Sequence, residues 1–171
     1  DGKRFSALPV GALSLGAVAV GQLDGQGGDD IAVTYKGTVD HLSLFRGGSG
    51  APVDVSLAAC KDGLVQVGRF TSGPARDLLL ACADRVQLLA GAGDGTFTAG
   101  TPFLIALPSG QEVGAPLLAD FDGDGDLDVV LLQLAAAGAP RADLYLLENS
   151  DGRGSLAARS LGISVATTVS A

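Results

Sequence analysis

Three apolar runs, each opened by an aspartate, recur at a near-constant step: DIAVTY from Asp30, DLLLAC from Asp77 and DVVLLQ from Asp128. The steps are 47 and 51 residues. A Gly/Asp-rich turn precedes each run (GQLDGQGGD, GRFTSGPAR, ADFDGDGDL), and another apolar strand precedes each turn (SLGAVAV, GLVQV, GAPLL). A third strand follows (HLSLFRG, RVQLLAG, ADLYLLE), then a glycine-rich turn and a less regular fourth strand such as APVDVSLAA or FTAGTPFLIAL. Units of this size cannot bury their apolar faces alone and must stack. The pattern predicts an all-β fold: a β-propeller segment of about three four-stranded antiparallel blades, at 13–60, 61–108 and 112–162. Partial blades are expected at both ends, a fourth strand at 3–12 and a first strand at 163–171. A β-sandwich also yields short, regular strands and is the competing fold. Strands, turns and aspartates all in phase favour the propeller. Gly16, Ala17, Ala19, Gly114 and Ala115 in the first strands suit a crowded central axis.

Composition narrows the function. Hydrophobic residues make up 47%, which excludes general disorder. There is no helical apolar periodicity of useful length. The net charge is −8, and 17 of the 19 acidic residues are Asp. Asp favours turns, so the acidity belongs to loops. This balance argues against a nucleic-acid partner and against a polyanionic membrane surface. No run reaches the ~18 apolar residues of a membrane span, so no membrane insertion is expected. The stretch LPVGALSLGAVAVG (8–21) resembles a signal-peptide core, but it aligns with a first strand that recurs later.

The segment DFDGDGDLD crowds five aspartates, Asp120, Asp122, Asp124, Asp126 and Asp128, into nine residues. Either the loop is a solvated turn or a cation sits among them. In D-x-D-x-D-G-x-x-D, alternation points Asp120, Asp122 and Asp124 at one centre, and Gly125 lets the chain wrap around it. The Asp126 carbonyl supplies a fourth oxygen and Asp128 closes the shell. Hard oxygens in a flexible loop suit Ca²⁺ better than zinc or copper. The twelfth position is Leu131, so this is not an EF-hand. The first unit carries a degraded copy: Gln22, Asp24, Gln26, the Gly28 carbonyl and Asp30, with weaker affinity expected from its lower charge. In the second unit the matching positions are Arg69, Thr71, Gly73 and Asp77, and no metal is expected.

These units resemble FG-GAP repeats, also called VCBS-type repeats, the blades of integrin-α-like propellers. DFDGDGDLD and the GDGTF turn at 93–97 carry the resemblance most strongly. It implies ligation by the ninth residue, Asp128, on a strand–turn–strand scaffold. It also implies a calcium-stabilised module of a secreted or cell-surface protein, extracellular or periplasmic. The expected uses are adhesion, recognition of a protein or carbohydrate ligand, or structural assembly. The alternative is a non-catalytic accessory propeller of a larger secreted hydrolase or lyase. On the face opposite the metal loops, Lys36, Arg85, Gln111 and Arg141 are expected contacts.

No catalytic set is evident. His41 is the single histidine, and no nucleophile motif accompanies it. Cys60 lies just before the middle unit's first strand and Cys82 at the end of its second. Antiparallel pairing should bring them together, as a disulfide or as two small hydrophobes. Three blades leave bare flanks. The remaining blades, or another chain, are expected to cover them.

Overall fold

The computed structural model describes residues 14–47, 51–105, 112–134 and 141–166, and contains no helix among them. The strands form three antiparallel sheets. The first holds β1 (Leu15–Gly21), β2 (Asp30–Tyr35), β3 (Thr38–Phe45) and β4 (Val53–Lys61), in that order. The second holds β5 (Leu64–Gly68), β6 (Asp77–Ala81), β7 (Arg85–Gly91) and a split fourth strand, β8 (Phe97–Ala99) and β9 (Phe103–Leu104), both paired with β7. The third holds a split first strand, β10 (Glu112–Val113) and β11 (Leu117–Ala119), then β12 (Asp128–Leu134), β13 (Arg141–Glu148) and β14 (Ala157–Ala166). Both splits contain a proline, Pro102 and Pro116, which has no N–H to give a ladder. The sheets are propeller-like blades in an array that does not close on itself.

One of the sequence expectations for the ends meets the structure differently. Residues 163–166, expected to open a following blade, continue β14, where Ser164–Ala166 pair with Arg141–Asp143. The fourth strand expected at 3–12 and the rest of the closing one, 167–171, lie outside the described residues.

The uninterrupted apolar runs are explained by burial on both sides of a sheet. Successive strand residues point to opposite faces. Leu78 and Leu80 of β6 pack into a core with Leu23, Leu42 and Leu44 of the first blade. Leu79 and Ala81 turn the other way, onto Val129, Leu131 and Leu147 of the third. The central blade is therefore a layer packed on both faces.

In the first two units the residue seven positions before the strand-opening aspartate acts as a plug between blades. Leu23 and Phe70 are fully buried in the two successive interfaces. Each also offers its carbonyl to the next blade: Gly95 N donates to Leu23 O (3.2 Å), and Asn149 Nδ2 donates to Phe70 O (2.7 Å). Phe121, at the same position in the third unit, is 56% exposed, and Leu117 of β11 is exposed as well. At the other end Val18 and Val20 are exposed, although their counterparts Val65 and Val67 pack into the first interface. The outer faces of the end blades are thus only partly covered: Val33, Tyr35 and Phe45 of the first and Val130 and Leu146 of the third are buried, while Val18, Val20, Leu117 and Phe121 are exposed.

Each blade is closed by the aspartate that opens its second strand. Asp30, Asp77 and Asp128 are all buried, at 0%, 0% and 1% exposure. One oxygen accepts from the preceding loop: from Leu23 N and Asp24 N, from Phe70 N and Thr71 N, and from Phe121 N, all at 2.7–3.0 Å. The other accepts from a residue at or just past the end of the third strand, Gly47 N (2.8 Å), Gly91 N (3.0 Å) or Asn149 N (2.9 Å). A buried carboxylate is tolerable only when paired this completely.

Two expectations follow. Asp77→Ala strips one carboxylate from at least three backbone donors, and should cost about 3 kcal/mol or more in urea unfolding, with or without Ca²⁺. A loss under about 1 kcal/mol would refute the structural role. Phe70→Ala should cost about 3–5 kcal/mol, as for a buried aromatic. Phe121→Ala in the same 171 residues should stay within about 0.5 kcal/mol, as for an exposed side chain. Comparable losses at the two sites would show that the third blade's outer face is already covered.

Candidate metal centre

The third loop runs from the end of β11 to the start of β12. The carboxylates of Asp120, Asp122 and Asp124 converge, with one oxygen from each lying within 4.8 Å of the others, and all three are exposed. Short-range bonds build the loop. Asp120 accepts from Gly123 N (2.7 Å) and Gly125 N (3.1 Å), Asp122 from Asp124 N (3.2 Å), and Asp124 from Asp126 N (2.9 Å). Gly123 and Gly125 have φ of 82° and 98°, in the left-handed region where a side chain would be strained. These two glycines let the chain curl so that alternate carboxylates face inward.

Charge follows from that geometry. The Asp124 backbone N–H draws the Asp122 pKa down, but partial desolvation and the repulsion of Asp124, Asp128 and Asp120 outweigh it, so the group is raised above the usual carboxylate value. A hard cation would relieve this repulsion, and the all-oxygen donor set fits one. Asp126 and Asp128 stand apart from the converging trio. Asp126 lies against Gly152, where an added Cβ would come 2.6 Å from its carboxylate. Asp128 is buried and engaged by Phe121 N and Asn149 N.

In the first loop the expected ligand atoms of Gln22, Asp24, Gly28 and Asp30 already carry hydrogen bonds. Gln22 Oε1 accepts from Asp24 N (3.0 Å) and Gly25 N (2.7 Å), while Gln22 Nε2 donates to Gln26 O (2.5 Å) and Gly28 O (2.6 Å). Asp24 is buried and accepts from Gln26 N (2.8 Å), and Asp30 is the blade-closing aspartate. The second loop is tied by the Thr71 hydroxyl, which donates to the Asp77 carboxylate. It leans on the third blade through Ser72 N, which donates to Gly152 O at 2.9 Å.

Cys60 and Cys82 form a disulfide with Cα atoms 5.3 Å apart. Cys60 lies just ahead of β5, as expected, and belongs to the end of β4, opposite Val39, so the bond joins the first blade's outer strand to the second blade. A crosslink between residues 22 apart contributes about 3 kcal/mol by restricting the unfolded chain. Arg85, expected as a surface contact, is instead 8% exposed. Its Nη2 donates to Ala58 O (2.7 Å) and Ala59 O (2.6 Å), and its Nη1 pairs with Asp84. It clamps the same two blades, because a guanidinium can satisfy several carbonyls at once.

Lys36 is exposed at the end of β2. Gln111 lies outside the described residues, and Arg141 opens β13. His41, in β3, meets Asp40 at 3.1 Å and stacks at a tilt on Tyr35, with no nucleophile bonded to it.

Sequence reasoning missed Asn149. It is fully buried, and besides its bond to Phe70 O it accepts from Gly154 N (2.9 Å). The signal was present: Asn149 occupies the place of Gly47 and Gly91, and a polar side chain replacing glycine in a buried turn needs partners.

The model of a family described as FG-GAP-like repeat matches residues 75–131, from the end of the second loop through most of β12. That span includes the whole Asp120 loop. No curated protein matches the chain. Residues 75–131 carry an FG-GAP-like repeat.

Proposed function

We propose that this chain is a calcium-stabilised propeller module of a secreted or cell-surface protein, used in adhesion, ligand recognition or structural assembly. The observation that carries the reading is the convergence of Asp120, Asp122 and Asp124 on a glycine-permissive loop within the FG-GAP-like repeat. In this reading the three carboxylates and the Asp126 carbonyl hold the ion. Asp128 closes the shell with lone pairs left over from its two backbone bonds, since a carboxylate can accept about four. The cation ties the entry of β12 to the loop before it and cancels the repulsion among the aspartates. The Cys60–Cys82 disulfide supports an oxidising compartment. The exposed Phe121 face and the exposed Val18 and Val20 support further blades of the same kind as the flanking partners. The module then presents its inter-blade loops to a protein or carbohydrate.

Calorimetric titration of the protein with Ca²⁺ tests the site. At a Ca²⁺ concentration 100 times the dissociation constant, the folded state gains about 2.7 kcal/mol. Asp124→Ala should weaken binding by one to two orders of magnitude, roughly the scale on which ligand charge count tunes such loops. Absence of binding heat, with melting indifferent to chelator, would refute the proposal.

A second test uses the sign of the Asp122 shift. Its folded-state pKa is raised, so the folded state binds this proton more tightly than the unfolded chain. The favourable contribution is present below the ordinary value of 3.8 and is lost as pH rises through the folded pKa. Asp122→Asn removes that loss. In chelator at neutral pH the variant should melt above the wild type, and the gap should vanish on acidification below 3.8. In saturating Ca²⁺ the order should reverse. A variant less stable than wild type in chelator would contradict the repulsion on which the site rests.

A further inference from the structure

We propose that loop 22–30 is a metal-independent copy of the Asp120 loop, in which the Gln22 side-chain amide occupies the place of the cation. Counting back from the blade-closing aspartates, Gln22 corresponds to Asp120, Gln26 to Asp124 and Gly28 to Asp126. In the third loop the Asp126 carbonyl is the backbone oxygen offered to an ion. In the first loop the corresponding oxygen, Gly28 O, receives Gln22 Nε2 at 2.6 Å, and Gln26 O receives it at 2.5 Å. Two inward carbonyls are therefore satisfied by two N–H groups of one neutral side chain.

The orientation of that amide is fixed by its other end. Gln22 Oε1 accepts from Asp24 N and Gly25 N, much as Asp120 accepts from Gly123 N and Gly125 N. Turning the amide over would set its NH₂ against two N–H donors and its oxygen against two carbonyls. Ligation by Gln22 Oε1 would require it to give up these bonds, and the amide nitrogen would still fill the centre.

The electrostatics agree. Of the loop's two corresponding carboxylates, Asp30 is bonded to three backbone N–H groups and Asp24 to one. Gln22 also lines a cleft of about 470 Å³ together with Arg69 and Arg76, whose charges oppose a cation there. The donor set at 22–30 does not fit Ca²⁺, and the loop needs none to hold its shape. The first blade's loop stays formed when Ca²⁺ is withdrawn, and calcium sensitivity is confined to the third blade.

This inference takes the Asp120 loop as its template, and so rests on the reading proposed above. Its test separates the two. Ca²⁺ is titrated into the wild-type protein, into Asp124→Ala, and into Asp124→Ala combined with Gln22→Asp and Gln26→Asp. The expected result is one site, none at the same concentrations, and one regained. Gln22→Ala is melted in chelator and in Ca²⁺, and should lose about 2–4 °C in both, the shift for one modest stabilising group in a chain of this size. A Ca²⁺ that survives Asp124→Ala and disappears with Asp24→Asn would overturn the inference. So would a folded triple variant that binds nothing, or a Gln22→Ala that is silent in chelator. Should the wild type bind no Ca²⁺ at all, the reading of the Asp120 loop fails, while the Gln22→Ala melt in chelator still decides this one.

Discussion

A carboxylate buried at the entry of each second strand is the constraint on which the rest of this molecule depends. Asp30, Asp77 and Asp128 each tie the loop between the first and second strands to the end of the third. An ionised group in such a place is costly unless its oxygens are filled, and here backbone N–H groups fill them. These bonds are charge-assisted and of fixed geometry, so they set where the loop leaves and re-enters the sheet. Once the ends are held, the residues between them can vary in chemistry without disturbing the blade. The three loops show three solutions: an amide, a threonine hydroxyl and a cluster of carboxylates.

Blade stacking is a separate source of order. The central sheet buries both faces, and Leu23 and Phe70, from the loops between first and second strands, fill the junctions. Polar bonds then secure those junctions. On the first they are the Arg85 guanidinium, the disulfide and the Leu23 carbonyl; on the second, Asn149 and the strand-like contact of Thr71 with Arg153. Apolar burial supplies attraction without direction, and these bonds supply direction. Phe121, an aromatic in the same plug position, is left 56% exposed.

Repeat period, strand alternation and turn chemistry are local properties, and they were legible before any coordinates. The period of about fifty residues, the antiparallel order within each blade and the inward aspartates at 120, 122 and 124 all follow from neighbours in the chain. The fourth strand was harder to bound. Pairing with β13 carries β14 on to Ala166, a choice made by hydrogen bonds from the partner strand rather than by composition.

The sequence by itself determined which residues could bear charge, turn tightly or fill a core, because those capacities belong to side chains. It identified an oxygen-rich loop in an FG-GAP-like repeat, and two cysteines near the same strand ends. Only the tertiary structure decided how each capacity is spent. Asp128 reaches Asn149 N across 21 residues, and Asn149 reaches Phe70 O across 79. Gln22 was read as a source of oxygen, yet its nitrogen is turned inward, because which end of an amide faces the loop depends on the donors and acceptors that the fold brings to it. Arg85 was read as a free surface cation, and two carbonyls from the preceding blade claim it. Hydrogen-bond partners distant in sequence leave no periodic trace, so their choice appears only when the blades are stacked.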